Sequence, residues 1–166
     1  QFPISVNASI LHAENEDTVE RYMEILERYN VDPSLVEIEL TETATLSNYD
    51  NVREMFRRFR EKSIRTSMDD FGAGYSMLNT IVEVPVDSLK IDRTIIANCL
   101  RTERGIRFLT NLLAMIEQLG YHVICEGVET ERQAEILREV GCEEAQGYLF
   151  GPPQPIPEYE RMVYPR

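Results

Sequence analysis

Apolar residues recur along this chain in two alternating rhythms. Short β-branched runs read as strands: Ile4–Asn7 (ISVN), Val36–Leu40 (VEIEL), Arg65–Asp70 (RTSMDD), Ser88–Asp92 (SLKID) and His122–Cys125 (HVIC). Longer stretches with helical spacing lie between them. Val19, Tyr22, Met23, Leu26 and Tyr29 share one face over 18–29, and Val52, Met55, Phe56 and Phe59 share another over 49–60. A long helical stretch runs to Leu119 and carries Ile106, Leu109, Leu112, Leu113 and Ile116. It is expected to break near Gly105 and to be capped by Gly120. Thr130-Glu131-Arg132-Gln133 matches a capping box, and Gly141 ends the helix it opens. Cys142–Tyr148 is a sixth, weaker strand. Pro33 breaks the first helical pattern, and Pro152, Pro153, Pro155 and Pro157 make a stiff turn before a short helix near 158–163.

Strands alternating with helices imply a parallel sheet covered by helices. The expected class is α/β, one domain over 1–166, with six βα units. A doubly wound open sheet also fits the alternation, but no G-x-G-x-x-G follows a strand. A (βα)8 barrel takes roughly 250 residues, so six units in 166 residues read as about three quarters of a TIM-type barrel. The chain opens on Gln1 rather than Met, and a loss at the N-terminal side is the expectation.

Charge narrows the partners. Seventeen Lys and Arg against 29 Asp and Glu give a net charge of −12. That offers no basic excess for a nucleic-acid polymer or an anionic membrane. No apolar run approaches the roughly 18 residues of a membrane span. Cys99, Cys125 and Cys142 are odd in number and lack C-x-x-C spacing, which fits reduced thiols in a cytoplasm. His12 and His122 make no metal pair. A metal site would rest on carboxylates and amides, which suit hard cations.

Polar residues concentrate where the strands end. Asn7 closes the first, Glu39 and Glu42 the second, Asp69 and Asp70 the third, and Lys90 and Asp92 the fourth. Glu126 and Glu129 follow the fifth, and Gln146 sits in the sixth. In a βα barrel these ends converge on one mouth. Carboxylates gathered there would repel one another and raise their pKa values. A pair of divalent cations removes the conflict, and the adjacent Asp69-Asp70 suits a bridge between ions ~3.5–4 Å apart. Two such ions activate a water and steady both oxygens of an in-line phosphoryl displacement, and a lysine at the rim holds the developing charge. Each residue alone has a plainer role: Asn7 in a turn, Asp69-Asp70 as a cap, Lys90 in a salt bridge, Glu126 and Glu129 at a helix start. Their joint placement favours a metal-dependent hydrolase.

These residues lie in segments that resemble the EAL domain family of bacterial cyclic di-GMP phosphodiesterases. The matching segments are VNAS (6–9), ELTET (39–43), DDFGAGYSML (69–78), SLKIDR (88–93), CEGVET (125–130) and QGYLFG (146–151), in the family's order. The resemblance implies a TIM-type barrel that linearises cyclic di-GMP to pGpG with Mg²⁺ or Mn²⁺, two ions in all. It implies metal ligation by Asn7, Glu39, Asp69, Asp70 and Glu126, with a base role also assigned to Glu126. Lys90 corresponds to the lysine that contacts the attacking water, and Gln146 to a glutamine of the catalytic rim. Asp92 and Gln146 are expected against substrate. Glu42 and Glu129 correspond to supporting acids, Glu42 holding the loop after Asp70. That loop, 71–78 with Gly72 and Gly74, corresponds to the segment linking metal, substrate and a homodimer. Fused or separate sensor and GGDEF domains are implied partners.

The Glu-Ala-Leu motif and the Arg that follows it are absent from the sequence. Ala73 and Met77 replace a Thr and a Ser of the family's loop, and Pro152 stands where an Arg or Lys is usual. The missing Glu is a metal ligand, so weakened metal binding and hydrolysis are expected of the 166 residues alone, as is poor solubility or pairing with a second copy. The competing readings are a catalytically inactive EAL-type module that binds cyclic di-GMP or a protein, and another metal-dependent phosphoesterase. The residue at the upstream Glu position separates the first, and assay of linear against cyclic dinucleotides the second.

Overall fold

The computed structural model describes residues 3–73, 81 and 85–163. In chain order the elements are β1 (Ile4–Asn7), α1 (Ile10–Ala13), α2 (Thr18–Arg28), β2 (Val36–Thr41), α3 (Glu42–Ser47), α4 (Tyr49–Glu61) and β3 (Arg65–Phe71). Then follow β4 (Ser88–Ile91), α5 (Arg93–Cys99), α6 (Glu103–Gln118), β5 (His122–Cys125), α7 (Glu131–Glu139), β6 (Glu144–Ala145) and α8 (Ile156–Val163). The six strands form one sheet in the order β1-β2-β3-β4-β5-β6, every pair parallel. Sequential parallel order is the winding of a βα barrel, and the sheet is a curled half-barrel of that kind. The open doubly wound alternative, whose strand order reverses, is excluded.

Alternation sorts the two faces. Val36, Ile38 and Leu40 of β2, Met68 and Phe71 of β3, Leu89 and Ile91 of β4, and Val123 and Cys125 of β5 join one buried core. The helices cover that face with Val19 and Leu26 of α2, Val52, Met55, Phe56 and Phe59 of α4, and Leu109, Leu112, Leu113 and Ile116 of α6. Tyr22 meets Phe59 edge-on at 5.4 Å, tying α2 to α4. The other face is polar. Glu37 accepts a hydrogen bond from Ser5 at 3.4 Å and from Ser88 at 3.1 Å, so side chains of β1, β2 and β4 meet over β3.

Several boundaries depart from the sequence expectation. The sixth strand is only Glu144–Ala145, not 142–148, because pairing with β5 stops at Cys125↔Ala145. The long helix breaks at 100–102 rather than at Gly105. Thr102 caps α6 by accepting from the Gly105 N–H at 3.0 Å. Gly105 serves close packing instead: a Cβ there would lie 2.2 Å from the Cys99 carbonyl oxygen. Two short helices went unread: α1 is boxed by Ser9 and His12, and α3 starts at the Thr41 cap. Gly120 and Gly141 close their helices at φ 87° and 94°. Among the described residues no helix is long and apolar enough to cross a membrane.

Candidate metal and active site

Lys90 is the hub. It lies mid-sheet on the polar face, 5% exposed, with Glu39 at 4%. Its Nζ is 2.8 Å from Glu126 Oε1, 3.0 Å from Glu39 Oε1 and 3.6 Å from Asp69 Oδ1. Strands β2 and β3 and the residue after β5 thus supply carboxylates to one ammonium. Burial pulls the lysine's pKa down, but the bonds to Glu126 and Glu39 overcome it and hold the ammonium charged. Burial pushes Glu126 above the usual carboxylate range, Lys90 pulls it back, and Asp69 and Glu39 add repulsion.

A defect in the ladder brings Asp69 and Asp70 together. Successive strand residues point to opposite faces, so a regular β3 would separate them. Instead the β3–β4 register shifts between Met68 and Phe71, as at a β-bulge, which re-aims side chains. Asp70 takes φ 55°, and its N–H donates to Asp69 Oδ1 at 2.9 Å. As a result one oxygen each of Asp69, Asp70 and Glu126 lie within 4.8 Å of one another. Burial raises the Asp70 pKa, helped by Asp69 and Asp92 and opposed by Lys90 and Arg93. Four carboxylates around one ammonium leave excess negative charge, and the all-oxygen donor set fits a hard divalent cation.

The remaining expected residues take varied positions. Asn7 pairs in register with Glu39 at the exposed edge strand. Glu42 is not a strand end but the first residue of α3, buried, its Oε2 accepting the Gly72 N–H at 2.9 Å. Gly72 turns the chain at φ 89°. Asp92 lies just past β4 and caps α5, its Oδ1 accepting the Thr94 N–H at 2.9 Å and the Thr94 hydroxyl. Gln146 lies just past β6, its N–H donating to the Cys125 carbonyl at 2.8 Å. Asp70, Asp92, Glu126, Glu129 and Gln146 line one cleft of ≈ 670 Å³. Gly74 and residues 75–78 of the expected dimer loop lie outside the described residues.

Other lining residues were not singled out from the sequence. Arg93 contributes a cation to the cleft, and Tyr148 and Tyr159 add aromatic rings. Gly147 lets the turn after β6 press on the turn after β5, since a Cβ there would sit 2.1 Å from the Val128 oxygen. The glycines inside CEGVET and QGYLFG were the available signal for that contact.

The EAL domain profile matches residues 1–153. The chain belongs to the EAL domain family. Cyclic di-GMP phosphodiesterase NbdA of Pseudomonas aeruginosa is 34% identical over 160 residues, 96% of this chain and 20% of that protein. This EAL chain spans about a fifth of the length of NbdA and of other long signalling relatives. The PaMucR phosphodiesterase in complex with c-di-GMP superposes at TM-score 0.84 with 31% identity, covering 95% of this chain and 64% of that one. The manganese and cyclic di-GMP complex of Klebsiella pneumoniae BlrP1 superposes at 0.82 with 28% identity, covering 89% and 38%.

Proposed function

We propose that this EAL chain is the catalytic part of a cyclic di-GMP phosphodiesterase that opens the cyclic dinucleotide to linear pGpG with Mg²⁺ or Mn²⁺. The single observation carrying this reading is the cluster of Asp69, Asp70 and Glu126 oxygens within 4.8 Å, beside Lys90 and at the head of a cleft of ≈ 670 Å³. Asn7, Glu39, Asp69, Asp70 and Glu126 would hold two ions. Bound there, the ions would supply a hydroxide at neutral pH and charge stabilisation for the phosphoryl group.

The chain's own residues set the rest. Lys90, kept charged by its carboxylates, orients the attacking water by hydrogen bonding and offsets charge that develops on the phosphoryl oxygens. Glu126, whose Oε1 lies 2.8 Å from Lys90 Nζ, is placed to serve as a base beside that water. Glu42 fixes the turn at Gly72 and so the angle at which Asp70 faces the site. Asp92, Glu129 and Gln146 line the cleft on the substrate side, with Arg93 as a cationic contact for a phosphate. The homodimer and the sensor or GGDEF partners belong to the same reading.

The test uses the full product of the gene that carries this sequence. Cyclic di-GMP, pGpG and a linear dinucleotide are each incubated with protein and Mn²⁺, with and without a chelator, and the products are separated. Cyclic di-GMP alone is expected to yield pGpG, with loss on chelation and a fall of about 100-fold or more in Asp69→Asn. Binding of cyclic di-GMP without cleavage would make the chain a receptor module. Equal turnover of linear substrates would make it a general phosphoesterase.

A further inference from the structure

The cleft is lined by four carboxylates, Asp70, Asp92, Glu126 and Glu129, and among its described lining residues by one cation, Arg93. A guanidinium among so many acids is expected to pair with one of them. Arg93 is exposed and forms no ion pair among the described residues. Two of the acids are already engaged. Glu126 holds the Lys90 ammonium at 2.8 Å, and Asp92 accepts from the Thr94 N–H and hydroxyl. The stem of Arg93 is also held. Gly127, at φ 71°, packs so closely that a Cβ there would lie 2.3 Å from the Arg93 Cβ and 3.2 Å from its Cα. The turn after β5 thus fixes where the Arg93 side chain leaves α5.

The place of that charge separates it from the point of cleavage. Lys90 is buried among Glu39, Asp69 and Glu126, whereas Arg93 stands at the exposed rim. A guanidinium that does not reach those carboxylates does not reach a phosphate seated among them. The ring of cyclic di-GMP carries a second phosphodiester, which is not cut. Pro152, at the position where an Arg or Lys is usual, lines the same cleft and brings no charge to it. Among the described lining residues the second phosphate therefore has one cationic partner.

We propose that Arg93 is a specificity-determining residue of the cleft: it holds the phosphate that is not cleaved, and so selects ligands with two phosphodiesters over ligands with one. The inference rests on the cyclic di-GMP reading of the site. An unpaired planar guanidinium takes a phosphate through two parallel N–H···O bonds. Fixing the far phosphate orients the ring and presents the near one to the acidic cluster. The contact is the same before and during bond breaking, so its loss falls on KM more than on kcat. A diester with a single phosphate cannot span both points and gains little from Arg93.

The experiment uses the full product of the gene. Equilibrium dialysis with Ca²⁺ in place of Mn²⁺ reads cyclic di-GMP binding apart from turnover. Arg93→Ala is expected to raise the Kd about tenfold or more and to flatten its dependence on salt. With Mn²⁺, the fall in kcat/KM for cyclic di-GMP should exceed that for bis(p-nitrophenyl) phosphate, which has one phosphodiester, by about tenfold, and should lie in KM. Arg93→Lys keeps the charge without the fork and should fall between parent and Arg93→Ala. A Kd within about twofold of the parent's, equal losses on both substrates, or a loss confined to kcat would each overturn the proposal. A parent protein that binds cyclic di-GMP without cutting it removes the phosphodiesterase reading and leaves the Kd comparison to decide this one. A parent protein that binds none overturns both.

Discussion

Val6 and Ile38 stand side by side in the ladder and point to the same face of the sheet. Ile38 is fully buried, yet Val6 is 38% exposed and the neighbouring Ile4 64%. The residues are equivalent in pattern and differ only in what surrounds them. β2 has a strand on each side and helices over its apolar face, whereas β1, among the described residues, has a partner on one side. The site divides in the same way. Lys90, Glu39, Asp69 and Glu126 lie on inner strands or their ends and are locked by ion pairs. Asn7 and Gln146 sit at the two outer strands and are exposed. Alternation decides which way a side chain points, and neighbours decide how firmly it is held.

The largest break in that contrast is expected at its centre. Lys90→Met leaves Glu39, Asp69 and Glu126 facing one another without a cation, and should lower the stability of chelated protein by about 3 kcal/mol. Denaturant titration reads this, and added Mn²⁺ should recover more stability in the variant than in the parent. Unchanged stability would mean the lysine does not hold the cluster. The paired substitution comes next. Ile38→Ala should cost about 3 kcal/mol, and Val6→Ala, already half in solvent, less than ~1 kcal/mol. Equal losses would erase the distinction between inner and outer strand. Glu42→Gln weakens a charged bond to the Gly72 amide and should cost about 1.5 kcal/mol; faster hydrogen exchange at Gly72 than at Ile38 localises the loss. Below Glu42→Gln comes Thr130→Ala, which removes the cap of α7 and half its capping box. Thermal melts should register about 1 kcal/mol.

Much of this arrangement was legible from residue order. β1 and β5 begin and end where the short β-branched runs place them, and the Thr130–Gln133 box forms as spaced. What escaped is set by three-dimensional contact. Gly105 resembles a break in one dimension, but the approach of the Cys99 carbonyl, visible only once α5 and α6 fold back, explains it. Glu42 and Asp92 read as strand ends because a helix of six or seven residues has too few turns to show its period. The paired aspartates were legible as chemistry. Their convergence was not, because the bulge that rotates one of them depends on how β4 aligns with β3.

That misalignment makes the pocket sensitive to chain length as well as to composition. Deleting Asp70 would let β3 and β4 zip evenly and would still leave Asp69, Lys90 and Glu126 spelled as before. The turn at Gly72 would then be drawn one step down the strand, away from the Glu42 carboxylate that anchors it. A single missing codon here would therefore do more harm than replacing the same acid with alanine, because it resets the phase of everything downstream while alanine subtracts one charge.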